Sequence, residues 1–171
     1  VVNYGSGAGT TIVLAANHPQ NPYGVPVRVR YQAFDVGAST RQANNEFNRI
    51  VPGGNYGWPI VEGTAGDPAF MDPAYQWGTD DASPSGLAFV NGTFLLAALR
   101  GQRLWAVYPG ETTTASEYYT GTYGRLRDVV PGPDGTAWVL TSNTDGRGSP
   151  VSGDDRLLQI ADKKTGIKDA F

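Results

Sequence analysis

An all-β fold assembled from repeated, propeller-like blades is what this sequence predicts, on three observations. Glycine and proline are abundant, 23 and 12 of 171 residues, which suits short strands joined by tight turns and disfavours a helical bundle. The apolar segments are short and bounded by Gly, Pro, Asn or Asp, with little 3.6-residue periodicity. A unit of strand, turn, strand, loop and strand recurs three times along the chain, the signature of blades.

Taken in order, the first apolar run is Thr11 to Ala15. In the first unit, Asn21-Pro22-Tyr23-Gly24-Val25 leads into Tyr31 to Phe34 and then Glu46 to Ile50. Thr40 to Ile50 is also the best helix candidate of the chain, weakened by Asn44, Asn45 and Asn48. The second unit runs from Pro84-Ser85-Gly86-Leu87-Ala88-Phe89 through Asn91-Gly92 into Phe94 to Leu99, then Arg103 to Tyr108. The third runs from Arg127-Asp128-Val129-Val130 through Asp134-Gly135 into Ala137 to Leu140, then Leu157 to Ile160. Asn-Gly and Asp-Gly are hairpin signals because a type I′ turn needs positive φ at both central residues. Thr112 to Ser116 reads as a polar loop. Residues 162–171, with Lys163, Lys164 and Lys168, read as a solvated tail or onward link, leaving 1–161 as the propeller part. Three units of roughly 40–60 residues each are too few to close a ring, which takes typically 4–8 blades.

Composition narrows the function classes. The formal charge of -3 offers nothing to a polyanion, so nucleic acid is not an expected partner. With no cysteine there is neither a disulfide framework nor a thiolate metal site. No apolar run approaches the ~20 residues of a membrane span. The first residues, Val1-Val2-Asn3-Tyr4, carry no initiator Met and no visible signal peptide, so the chain is expected to begin inside a longer product.

The segment Glu46-Phe47-Asn48-Arg49-Ile50-Val51-Pro52-Gly53-Gly54-Asn55-Tyr56-Gly57-Trp58-Pro59 resembles the signature of the glucose/sorbosone dehydrogenase family. Three further blocks follow in family order: Ser83 to Phe89; Gly124-Arg125-Leu126-Arg127-Asp128-Val129 with Gly132-Pro133-Asp134-Gly135; and Leu140-Thr141 with Asp145-Gly146. Asn21-Pro22-Tyr23-Gly24, ahead of Asp35-Val36-Gly37, is a weaker match. The resemblance covers residues 17 to 160 and corresponds to the C-terminal half of the family's propeller. It implies a six-bladed β-propeller of four-stranded antiparallel blades, of which this chain supplies about three. It also implies a soluble, periplasmic or secreted aldose dehydrogenase that uses PQQ and Ca²⁺. Sugar is the implied substrate, and the missing N-terminal half of the ring, in the same polypeptide or a companion chain, the implied partner.

Arg125 and Arg127 alternate on an expected strand, so their guanidiniums point the same way. Paired arginines offer always-charged, bidentate donors to carboxylates such as those of PQQ; the plainer alternative is a surface strand ion-paired through Asp128. The resemblance implies cofactor contact for both, for Arg100 (a lysine in the family), for Thr79 and for Asn21. Beside Asn21 the family arginine is Gln20, and Tyr23 replaces a glutamine. Trp77 is implied as an aromatic platform for the sugar, weighed equally against a loop aromatic covering the core. Gly37 and Ala38 are implied as carbonyl ligands of the catalytic Ca²⁺, and Glu46 and Tyr56 as metal ligands, with Asp67 and Asp72 as neighbours of a second Ca²⁺. Trp58, Trp105 and Trp138 are expected in core or rim packing. No catalytic residue is assigned: His18, the one histidine, lies beside the Asn21 motif and not in the family's H-x-G-x-R block. That departure keeps a non-catalytic binding propeller of the same lineage open as the alternative. Asn91-Gly92-Thr93 is both a glycosylation sequon and a hairpin turn.

Overall fold

The computed structural model describes residues 8–14, 27–34, 44–162 and 167–169. They form three four-stranded antiparallel sheets, each a meander of consecutive strands. The first holds β1 (Ala8–Leu14), β2 (Val27–Phe34), β3 (Asn44–Ile50) and β4 (Tyr75–Gly78). The second holds β5 (Pro84–Val90), β6 (Thr93–Ala98), β7 (Arg103–Tyr108) and β8 (Thr114–Tyr118). The third holds β9 (Leu126–Pro131), β10 (Thr136–Thr141), β11 (Leu157–Asp162) and β12 (Ile167–Asp169). A four-stranded antiparallel sheet is the blade unit of propellers.

Three local expectations are corrected. The helix candidate over Thr40 to Ile50 gives a strand instead, with β3 paired to β2 on one side and β4 on the other. Its asparagines are poor helix formers, and hydrogen bonds on both edges decide the matter. The polar loop at Thr112 to Ser116 overlaps β8, which pairs with β7 through Leu104–Tyr118 to Tyr108–Thr114. Within the expected tail, β12 pairs with β11. Both strands are outermost in their sheets, where no apolar run is required. The two hairpin signals hold: φ is 48° at Asn91 and 83° at Gly92, and 53° at Asp134 and 74° at Gly135. Asn91 also donates through Nδ2 to Gly135 O at 3.0 Å, tying these two turns together.

The second sheet is the centre of the molecule. Phe94, Leu96 and Ala98 of β6 face the first sheet and join Tyr31, Phe47 and Trp77 in one core. Leu95 and Ala97 face the third sheet and join Leu126, Val129, Val139 and Ile160 in the other. Burial on both faces explains why residues 94–98 form a continuous apolar run instead of an alternation. Tyr31, Phe47 and Phe94 form an aromatic triangle, with ring centroids 4.6 to 5.3 Å apart.

The sheets meet along their first strands, with β5 packed against both β1 and β9. At the β5–β9 joint a Cβ on Gly86 would lie 2.7 Å from Asp128 Cα and Val129 N, so only glycine admits this approach. The hydroxyl of Ser85 bridges the sheets, 2.8 Å from Leu126 O and 3.0 Å from Ala97 O. The Pro84-Ser85-Gly86 block is thus a joint. Ser85 meets the start of β9, and Asn91, at the end of β5, meets Gly135, so β5 and β9 run in the same direction. Their meanders therefore place the β4–β5, β6–β7, β8–β9 and β10–β11 connections at one end.

Candidate functional site

Arg125, Arg127, Ser142 and Asp145 meet at that end of the third sheet. The arginines flank the start of β9, and the other two follow β10. One carboxylate oxygen, Asp145 Oδ2, accepts from Arg125 Nη2 at 3.1 Å, Arg127 Nη2 at 3.0 Å and Ser142 Oγ at 3.3 Å. Arg127 Nη2 also lies 3.3 Å from Ser142 Oγ. Asp145 Oδ1 accepts from the Arg147 backbone N–H at 2.9 Å. That N–H, followed by the Arg125 guanidinium and the Ser142 hydroxyl, holds the Asp145 carboxyl below its ordinary range. Arg125 is only 9% exposed, and its Nε, also buried, has no hydrogen-bond partner among the described residues. The alternation thus directs both guanidiniums to one side as expected, but the counter-ion is Asp145. Asp128 accepts from the Val129 backbone N–H instead.

Asn143, a buried side chain, builds this corner. Its Oδ1 accepts from Arg125 N at 2.8 Å, and its Nδ2 donates to Tyr123 O at 2.9 Å and Asp154 Oδ2 at 3.1 Å. A Cβ on Gly124, whose φ is 71°, would strike the Asn143 amide. Asp155 accepts from the Thr144 hydroxyl and the Asn143 N–H, which in that order lower its pKa. Reading the sequence alone missed Asn143, Ser142 and the role of Asp145. The available signal was the dense Thr141-Ser142-Asn143-Thr144-Asp145-Gly146 stretch, in which short polar side chains can bond to nearby backbone.

Arg100 and Thr79 sit at the same end, in the β6–β7 and β4–β5 connections. Arg100 Nη2 pairs with Asp80 Oδ1 at 2.5 Å, with both side chains mostly in water, an arrangement worth little to stability. Trp77 is a core residue, which corrects the platform reading: it is 5% exposed and packs between Tyr75 and Trp105, with centroids at 4.8 and 5.6 Å. A ring so covered has no open face for a sugar.

Glu46 is buried, its Oε1 accepting from Gly63 N at 2.5 Å and its Oε2 from Asn48 Nδ2 at 2.9 Å. The adjacent Asn48 Oδ1 is buried and has no hydrogen-bond partner among the described residues. The Tyr56 hydroxyl accepts from Val51 N at 2.9 Å and donates to Arg49 O at 2.8 Å, bracing the turn after β3. Asp72 accepts from the Ala65 and Gly66 N–H groups and Asp67 from Ala69 N, so both organise the β3–β4 excursion. No cluster of three or more His, Cys, Asp or Glu side chains suited to a metal occurs among the described residues. His18, Asn21, Gly37 and Ala38 lie outside the described residues. No helix among them is long and apolar enough to cross a membrane.

Residues 21–157 match the family model described as Glucose / Sorbosone dehydrogenase. The PQQ-bound aldose sugar dehydrogenase of Streptomyces coelicolor is similar in structure, at 44% identity and a TM-score of 0.69, over 77% of this chain and 39% of that one. A crystal structure of a "putative oxidoreductase (glucose dehydrogenase)" from Thermus thermophilus gives 41% identity and a TM-score of 0.66, over 82% of this chain and 42% of that one. Among curated proteins, the aldose sugar dehydrogenase YliI of Escherichia coli K12 is 26% identical over 156 residues, 78% of this chain and 42% of that protein. The chain therefore spans less than half the length of these relatives.

Proposed function

This chain belongs to the glucose/sorbosone dehydrogenase family, and from that membership we propose that it is the part of a PQQ- and Ca²⁺-dependent aldose dehydrogenase that holds the cofactor's arginine pair. The observation that carries the reading is the Arg125–Arg127 pair held on one carboxylate oxygen. The Arg127 side chain is 42% exposed, so the pair keeps donors open to solvent beyond those given to Asp145. The carboxylates of PQQ are acceptors that guanidinium donors fit.

When bound, PQQ supplies a quinone that accepts a hydride from the sugar carbon bearing the oxidised hydroxyl. In this reading Arg125 and Arg127 bind and orient the cofactor's carboxylates, and Arg100 and Thr79 reach it from neighbouring connections at the same end. Asn21, Gly37 and Ala38 complete the cofactor and calcium corner. Glu46 fits a hard cation in part: its carboxylate is buried, no ion pair reaches it among the described residues, and the unpartnered Asn48 Oδ1 is close by. The Tyr56 hydroxyl is committed to backbone, so Tyr56 serves a cation only through other atoms. The base that takes the hydroxyl proton comes from the remainder of the six-bladed ring, half of which this chain supplies. The exposed apolar face of the third sheet supports that division: Leu140 and Leu157 are cross-strand neighbours, 41% and 65% exposed. A periplasmic or secreted location goes with the reading.

The full-length protein, given PQQ and Ca²⁺, is expected to reduce a redox dye with at least one aldose of a panel. Binding of PQQ without dye reduction by any aldose would instead support the non-catalytic propeller. Absence of both would overturn the reading.

A further inference from the structure

We propose that Asp145 is the positioning residue of the arginine pair, clamping both guanidiniums through one oxygen so that their remaining donors address a single anionic ligand together. The inference rests on the PQQ reading above. Two guanidiniums on one side of a strand repel each other. A carboxylate oxygen shared between them, at 3.1 and 3.0 Å, offsets that repulsion and sets their spacing. The clamp is itself held from behind: Oδ1 is tied to the Arg147 N–H, and the flanking Asn143 and Thr144 are tied to Asp155. Asp145 is therefore in place before any ligand arrives, the condition under which ordering costs least on binding.

The donor inventory separates this from an ordinary ion pair. Each guanidinium has five N–H donors. The pair's hydrogen bonds to Asp145 and Ser142 use only Nη2 of each arginine, and the Arg127 side chain is 42% exposed, so donors of the pair remain open to an anionic ligand. The ligand meets two arginines and one aspartate, a net single positive charge, so geometry and charge make opposite forecasts for one substitution. Asp145→Asn raises the positive charge of the site by one. Were charge alone at work, an anion would bind more tightly; with the clamp lost, it binds more weakly.

The test is PQQ titration of the full-length protein by intrinsic fluorescence, with thermal melting as the check on folding. Wild type is expected to bind most tightly and Asp145→Asn at least tenfold more weakly. Asp145→Glu, which keeps the charge but shifts it by one methylene, is expected in between. Affinity of Asp145→Asn equal to or above wild type overturns the inference while leaving the PQQ reading intact. Should Asp145→Asn fail to fold, Asp145→Glu decides: intermediate affinity supports the clamp, and wild-type affinity overturns it. If wild type itself binds no PQQ, the cofactor reading falls and this inference falls with it.

Discussion

The second and third sheets are built from the same meander but do different work. β6 of the second sheet is covered on both faces and contributes to both cores. In the third sheet, β10 buries Ala137 and Val139 and turns Leu140 outward beside Leu157. In the second sheet the outermost strand β8 alone of the two flanks leaves polar side chains in water, at Thr114, Ser116 and Glu117. The third leaves Leu140 and Leu157 open on its outer face, and in the reading proposed above its end serves binding through Arg125, Arg127 and Asp145. In that reading the sheet that is half-finished as a core is the one equipped for a site, and its second face is covered by another part of a larger assembly.

The largest effect that sharpens this contrast is expected in the second sheet. Phe94→Ala in the full-length protein removes the vertex of the aromatic triangle and should cost about 3–5 kcal/mol of stability; a melting curve near wild type would show that this core is not central. Leu157→Ala in the full-length protein should cost about 2 kcal/mol or more, because the outer face of the third sheet is then covered. A negligible shift in its melting temperature would break the comparison. At the site, Arg127→Ala should weaken PQQ binding by about 1.5–3 kcal/mol. Arg103→Ala should leave PQQ binding unchanged, since Arg103 pairs with Asp81 and Glu117 in the second sheet. Matching titration curves for the two variants would remove the cofactor from β9.

The smallest effect is one of pH. Asp145 and Asp155 have folded pKa values below the ordinary 3.8. A depressed carboxyl contributes stability that is present above its unfolded value and lost as pH falls through the folded one. Denaturant midpoints should therefore be insensitive to these groups above about pH 5 and decline below about pH 4. In Asp145→Asn that acid decline should be shallower; an unaltered acid limb would show that Asp145 gains nothing from its partners.

Much of the fold was legible because its signals are local. Asn91-Gly92 and Asp134-Gly135 encode positive φ directly, and the apolar runs of β6, β7 and β10 mark strands without reference to neighbours. The outer strands were not legible: Thr114–Tyr118 and Ile167–Asp169 are held by pairing to β7 and β11, and nothing apolar announces them. β3 offers two readings in sequence, a weakened helix candidate over Thr40 to Ile50 and a strand over Glu46 to Ile50, because its asparagine-rich pattern says little until β2 and β4 flank it. At the site, the direction of Arg125 and Arg127 followed from strand alternation alone. Their partner did not, because Asp145 comes from beyond a different strand, 18 residues away from Arg127, and the adjacent Asp128 is the natural guess from sequence. Trp77 shows the same limit, since only packing distinguishes a covered indole from an exposed one.

The central claim is that this chain is one part of a larger ring and holds only part of the cofactor site. Size-exclusion chromatography and thermal melting of residues 1–171 alone, with PQQ and Ca²⁺ added, test it most directly. The expected result is an aggregated or loosely folded species that binds no PQQ, because the outer face of the third sheet is open. A monodisperse monomer of 18.2 kDa that melts cooperatively would contradict it.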